Sequence, residues 1–544
     1  MTLPLPDRST KLPLLHGNTT LSGALDQDSR NILFELDYPQ KQLDFFFYLW
    51  EHQKDLEKLV SFHLGVPTET CKVAEDFREW VRGSFNACIP VYIDDNSDPT
   101  SSPDDPRRDP LNDTHLNDTH PNPVKKVFIR FPLPYKVGES PYPGNAEEKL
   151  RCEVGTYIWI ESNCPDIPIP YLRGFGFSDG QSFTVPENAS LSARIAWSFR
   201  RAASWLFGYP APSRYIRQRS PVSMNTGYMI VDCVTEGEML SVTWDFQRRN
   251  KDRRTNLFTG LSRIMLSLAR VPLPRIGSFT IDNDGVLSLT NRPLTCTLQQ
   301  LENYNIPTEI PRNLTYVTTD AYLLDLLACH DNRIRYMPNS ILDIADGQEQ
   351  LSALTMMRAL VRHFTNRKLR SGPFFLMLTD LHQSNIFVNR DWHITSIIDL
   401  EWACVLPIEM QHPPYWLTGA SIDRLVGEEL EAFESVHAEF MAIFEEEEQR
   451  SFTKDGISHS RIMRNGWETG NFWYFSALDC LNGLYHLYIS HIQGIFAPME
   501  NSEFNRTVSA YWTRHTEEFL REKVRDQEEY SNCLRKRFAA EVDK

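Results

Sequence analysis

The chain has 544 residues, 41% of them hydrophobic, and carries 56 Lys and Arg against 72 Asp and Glu, a formal charge of -16. Such a length supports a large buried core in more than one packed unit. The acidic balance, with a pI near 5.5, excludes a protein that grips nucleic acid by neutralising many phosphates over a basic face. The ten cysteines are dispersed without a C-x-x-C pair, and no run approaches the ~18 consecutive apolar residues of a spanning helix. The expectation is a cytoplasmic protein with reduced thiols whose partners include neither nucleic acid nor a membrane.

Residues 1–41 are polar and proline-containing and read as an extended N-terminal arm. The helical pattern of "KQLDFFFYLWEHQKDLEKLVSFHLG" opens the globular part near Gln42. Two strand-like runs follow, "ACIPVYI" and "VKKVFIRF", separated by residues 94–123 with eight aspartates, two arginines and six prolines. That composition cannot offset its ordering entropy, so it reads as a disordered acidic insertion within a hairpin. "NAEEKLRCEVGTYIWIESNC" has helical spacing, and "GYMIVDCV" reads as a buried strand. Residues 42–234 are therefore expected to form a small sheet unit with one main helix.

Residues 235–544 are largely helical in pattern and end in a charged amphipathic run over 509–538. One hairpin is expected around Asn283, Asp284 and Gly285. A calcium loop there is rejected, because Thr280 and Asn291 stand where an EF-hand needs its first and twelfth ligands.

The chemistry gathers in "FFLMLTDLHQSNIFVNRDWHITSIIDLEW". Short strands would carry Asp380, Asn385 and Asp399 to one end of a hairpin. Asn385 and Asp399 offer hard oxygen ligands suited to Mg²⁺ between phosphates, leaving Asp380 free to accept a proton. Turn capping is the competing reading for Asp380 or Asn385 taken singly, and also for Glu401. His382 reads as a packing or supporting residue. A hydrolase acid pair of Asp380 with Asp399 or Glu401 would give Asn385 no role.

"TDLHQSNIFVN" followed by "ITSIIDLEWA" resembles the catalytic loop and metal-binding aspartate of the aminoglycoside phosphotransferase family, and the chain is similar to its large fungal-type members. The resemblance implies an α+β, two-lobed protein-kinase-like fold with a small N-terminal sheet lobe and a larger helical C-terminal lobe. It also implies transfer of the ATP γ-phosphoryl to a hydroxyl of a small molecule, with Asp380 at the acceptor and Asn385 and Asp399 on Mg²⁺. By the same resemblance, Gly83, Ser84, Phe85 and Asn86 form the turn over the phosphates. Arg130 is the phosphate cation and Glu153 its holder on the helix, and Asp232, Cys233 and Val234 meet the adenine edge. Leu378 and Thr379 replace the family's common His-Gly, removing a brace of the loop. A catalytically silent pseudokinase, binding nucleotide or a partner protein, is the rival expectation.

Overall fold

A run as apolar as "ACIPVYI" forms a strand covered on both faces, and Asn86–Ile93 is buried along most of its length. It pairs antiparallel with Lys125–Pro132, from Asn86 opposite Pro132 to Ile93 opposite Lys125. The computed structural model describes residues 10–27, 30–94, 125–451, 456–497 and 502–542. The expected acidic insertion, apart from Asp94, thus lies outside the described residues, and its flanking strands pair as a hairpin.

This hairpin sits in an eight-stranded antiparallel sheet. Cys71–Val73 lies beside Asn86–Ile93, which also pairs with the short Val81–Arg82. Beyond Lys125–Pro132 come Tyr228–Asp232, Leu172–Gly176, Gln181–Thr184 and Ile216–Arg219. The two-residue period sorts side chains between two layers. Tyr228 and Ile230 join helices Tyr38–Glu51 and Gln53–Leu64, whereas Met229 and Val231 face helix Asn145–Asn163. On the neighbouring strand Val127, Ile129 and Phe131 go to the first layer. Alternation therefore turns Arg130 toward helix Asn145–Asn163. That helix packs closely on strand Ser278–Ile281: a Cβ on Gly155 would stand 3.0 Å from the Phe279 backbone.

After the sheet the chain is mainly helical, with long helices at Lys251–Leu268, Thr319–Tyr336, Ile344–Leu360 and Glu428–Arg450. The overall class is mixed α+β, as expected. No helix among the described residues is long and apolar enough to cross a membrane. The ten cysteines are all free.

Three expectations are corrected. The N-terminal arm is not extended over its described part. Lys11–Pro13 pairs with Asn18–Thr20, and Leu12, Ala24, Ile32 and Leu36 bury against Tyr530, Leu534 and Phe538 of the C-terminal helix Thr516–Val542. Its few apolar residues thus find their partner some 500 positions away, out of reach of any local pattern. The sheet unit also has more than one main helix: besides Asn145–Asn163 it includes Tyr38–Glu51, Gln53–Leu64 and Leu191–Leu206. In the last, Leu191, Ile195, Phe199 and Leu206 point to solvent, while Trp197 is its buried residue. Finally, the C-terminal run divides into Ser502–Ser509 and Thr516–Val542.

The expected hairpin pairs Ser278–Ile281 with Leu287–Asn291. Gly285 takes φ 78°, a turn conformation suited to glycine. Asp282 accepts from the amides of Asp284 and Val286 at 2.8 and 2.9 Å. The acidic tip is thus explained by turn chemistry.

Candidate functional site

Strand Phe374–Leu378 pairs with Ala403–Pro407, Leu378 opposite Ala403. Within that frame Ile386–Val388 pairs with Ile394–Ile397, Ile386 opposite Ile397. Asp380 leaves the first ladder, Asn385 enters the second and Asp399 follows it, so the topology brings all three to one end. The Ile398 amide donates to the Asn385 carbonyl at 3.0 Å, tying Asn385 through backbone to the residue before Asp399.

The loop is braced without the His-Gly pair. Thr379 Oγ1 donates to the Trp402 carbonyl at 2.6 Å, and Trp416 Nε1 to the Leu381 carbonyl at 2.7 Å. The expected loss of a brace is corrected, because a hydroxyl supplies one. His382 Nδ1 accepts from the Ser384 amide at 3.2 Å, and burial lowers the ring's pKa. Asn385 is buried, and its Nδ2 donates to the Asp380 carbonyl at 2.9 Å. That bond turns Oδ1, the hard ligand atom, to the remaining side. Asp399 takes φ 57°, a left-handed conformation unusual for an aspartate and of the kind strained sites hold.

Above this end lies a buried charge cluster. Arg130 Nη1 stands 3.1 Å from Glu153, and Nη2 pairs with Asp399 and lies 3.8 Å from Glu401. Arg130 and Glu153 are 6% and 2% exposed, so their pairing is no surface ion pair. Burial opposes the Arg130 charge, yet Glu153 and Asp399 hold its pKa well above the ordinary value. Burial also raises Glu153, against the pull of Arg130 and Lys149.

Lys149 was not expected from sequence, and Asn86 and Glu401 take part in ways their sequence readings did not foresee. Lys149, fully buried one helical turn before Glu153, lies 2.5 Å from Glu401 and 2.8 Å from Asn86 Oδ1. Asn86 Nδ2 donates to Glu401. Glu401 is 5% exposed and serves as a buried counter-ion, which corrects its reading as a turn cap. The available signal was the helical spacing of Lys149 and Glu153, which puts both on one face.

The turn of residues 83–86 closes by a 2.9 Å bond from the Gly83 amide to the Asn86 carbonyl. Gly83 and Ser84 are exposed, while Phe85 and Asn86 turn inward. Phe85 meets the Trp402 ring edge-on at 5.0 Å. Of the four residues expected over the phosphates, Asn86 is spent on the charge cluster and Phe85 on Trp402, and only Gly83 and Ser84 stay exposed. Farther along the sheet, the Asp232 and Cys233 amides donate to the carbonyls of Tyr171 and Lys126 at 3.0 and 3.3 Å. The Asp232 carboxylate binds Arg173 at 2.6 Å. The Val234 amide makes no hydrogen bond among the described residues.

Asp380 carries no hydrogen bond to its carboxylate among the described residues; His382 Nε2, 3.9 Å away, would pair with it only if protonated, which burial of the ring disfavours. Burial, then Glu401, Asp399 and Asp479, push its pKa up to about 7. Asp479 is reached by water yet set among protein atoms, and that desolvation pushes it up to about 6. Oxygens of Glu153, Asp399 and Glu401 lie within 4.8 Å of one another, a donor set suited to a hard cation.

Searches of protein-family models and of curated proteins found no match to this chain.

Proposed function

We propose that the protein is a Mg²⁺- and ATP-dependent phosphotransferase of two-lobed kinase-like architecture that phosphorylates a hydroxyl of a small molecule. The observation that carries this reading is the convergence of Arg130, Glu153 and Asp399, from strand, helix and loop, beside an unpaired carboxylate with a pKa near 7. Phosphoryl transfer needs positioning and charge neutralisation more than covalent chemistry from the protein, and these groups supply both.

In this reading Arg130 holds phosphate oxygens and Glu153 fixes the guanidinium. The Ser84 amide covers the phosphates, since the Gly83 amide is spent within the turn, and the Val234 amide meets the base. Asn385 and Asp399 would hold magnesium, which fits their hard oxygens; when bound, it would spread the charge of the phosphate oxygens. Asp380 takes the proton of the acceptor hydroxyl as its oxygen bonds to the γ-phosphorus and the bond to the bridging oxygen breaks, releasing ADP. A base titrating near 7 suits that task at neutral pH.

One observation favours the silent alternative: Arg130 and Asp399 neutralise each other directly. A pseudokinase would keep that pairing closed. The test is ATP-dependent phosphate transfer to a panel of hydroxyl metabolites, with Mg²⁺ varied and ATP binding measured alongside. Mg²⁺-dependent transfer to one class supports the enzyme; tight ATP binding with no transfer to any acceptor selects the silent form.

A further inference from the structure

Beyond the contact of Phe85 with Trp402 opens a cavity of about 360 Å³, in the range of small-molecule pockets. Its walls include Phe85, Lys136, Arg30, Gln300 and Asn482. Three observations place it next to the candidate site. Phe85 lines the cavity and touches Trp402, the neighbour of Glu401. Gln300 Nε2 lies 3.2 Å from Cys296 Sγ. That thiol is pushed up by burial, then by Asp380, Glu401 and Asp479, and pulled back by Lys136, so Cys296 is within electrostatic reach of both the proposed base and this lysine. Asn482, finally, follows Asp479 by three residues.

Most polar groups of the cavity are matched. Arg30 is held by Glu35, which also accepts from the Tyr304 hydroxyl at 2.6 Å. Asn303 donates to the Tyr38 hydroxyl at 2.6 Å. Lys136 is the exception. Its ammonium stands over the rings of Tyr38 and Phe85, at 4.8 and 5.9 Å, with no hydrogen bond or ion pair among the described residues. Burial lowers its pKa. Glu35 acts on this ammonium only from beyond ion-pair reach and is itself held by Arg30, so the cation carries a desolvation cost that a ligand's negative group would offset through a charge-assisted hydrogen bond.

We propose that this cavity is the acceptor pocket and that Lys136 binds an anionic group, a carboxylate or a phosphate ester, of the hydroxyl compound that is phosphorylated. The proposal rests on the phosphotransferase reading, and it separates from it experimentally. Binding of glycerate and 3-phosphoglycerate is compared with that of glycerol and ethanolamine by calorimetry, on protein saturated with Mg²⁺ and a non-hydrolysable ATP analogue. The anionic probes should bind about tenfold or more tighter than the other two, and Lys136→Met should erase that preference, the size of one charge-assisted hydrogen bond. Lys136→Arg should keep it within about threefold, because the charge remains although its geometry differs. Affinity for the nucleotide analogue should be equal in all three proteins.

Preferential binding of ethanolamine, absence of binding by either anionic probe, or an anion affinity indifferent to Lys136→Met would each overturn the proposal. Turnover with ATP then divides the two readings. Anion binding through Lys136 without transfer retains the pocket and removes the phosphotransferase. Transfer to glycerol or ethanolamine that ignores Lys136→Met retains the phosphotransferase and removes the anion pocket.

Discussion

Helix Asn145–Asn163 serves two buried charge clusters, and their difference separates scaffold from site. Glu148 belongs to the first: with Glu302 it encloses Arg292, whose Nε and both Nη atoms all donate to these two carboxylates. Arg312 adds a further bond to Glu148 at 3.1 Å, and Asn291 another at 2.9 Å. Two cations thus meet two anions, and no side-chain atom of Arg292, Glu148 or Glu302 is buried without a partner. The adjacent residue, Lys149, belongs to the second. There two cations, Arg130 and Lys149, meet three carboxylates, Glu153, Asp399 and Glu401. Arg130 Nε is buried without a hydrogen bond, and Glu153 Oε1 has only its ion-pair contact with Arg130 Nη1 at 3.1 Å. A closed, neutral cluster fixes a fold; an open one with surplus negative charge and unspent polar atoms is suited to a cation and a phosphate chain.

The comparison breaks most visibly at Arg292. Arg292→Met leaves Glu148 and Glu302 buried without their shared counter-ion, and removing one partner of such a group costs ~3–5 kcal/mol. Urea unfolding should therefore show a large loss of stability, with nucleotide binding falling only because folded protein is lost. If Arg292→Met instead left stability intact while removing nucleotide binding, the closed cluster would have to be reassigned to the site.

Asp380→Asn should do the reverse. It removes the proposed base and keeps the side chain's shape, so transfer should fall by ~10²–10⁴-fold, the worth of general-base catalysis. Nucleotide affinity, read by calorimetry, should persist. Equal turnover in the two proteins would take Asp380 out of the mechanism.

A third change sharpens the role of the surplus charge. Asp399→Asn retains a residue that tolerates the left-handed backbone at φ 57°, yet lacks the anion. The wild type at a nucleotide concentration 100 times its dissociation constant should gain ~2.7 kcal/mol. In the variant the Mg²⁺-dependent part of that gain should vanish from the thermal shift with ATP, and an undiminished shift would remove Asp399 as a metal ligand.

Local pattern made some of this legible and left the rest hidden. The strands around Arg130, the helix of Glu153 and the loop of Asp380, Asn385 and Asp399 each carry their own periodicity or spacing, and they lie where that pattern puts them. Asn86 and Glu401 looked like turn residues because the partner that explains both, Lys149, is distant in sequence and meets them only after the sheet, helix and loop have packed. The same holds for the N-terminal segment, whose partner is the last helix. Helix Leu191–Leu206 is a different case: Leu191, Ile195 and Phe199 recur at helical spacing and made it legible, but only the fold shows that this stripe faces outward.

The smallest expected effect concerns pH. The folded value of Asp380, about 7, lies above its ordinary 3.8. Between those values the native protein holds a proton that the unfolded chain has released. Stability from this group is therefore fully present below about pH 4 and is lost as pH rises through about 7. Asp479 and Glu409, raised by burial to about 6 and about 7, add slopes of the same sign, so a wild-type profile alone does not isolate Asp380. The difference between wild type and Asp380→Asn does, because the other groups remain in both. The Asn variant should be the more stable at pH 8, by ~1 kcal/mol after allowance for solvent screening of a carboxyl 35% exposed. The gap should close toward pH 5, where wild-type Asp380 is itself neutral. Urea midpoints at the two pH values measure this directly; a constant gap would mean that the cleft does not hold the Asp380 proton, and the activity profile should then lose its acid limb near pH 7 as well.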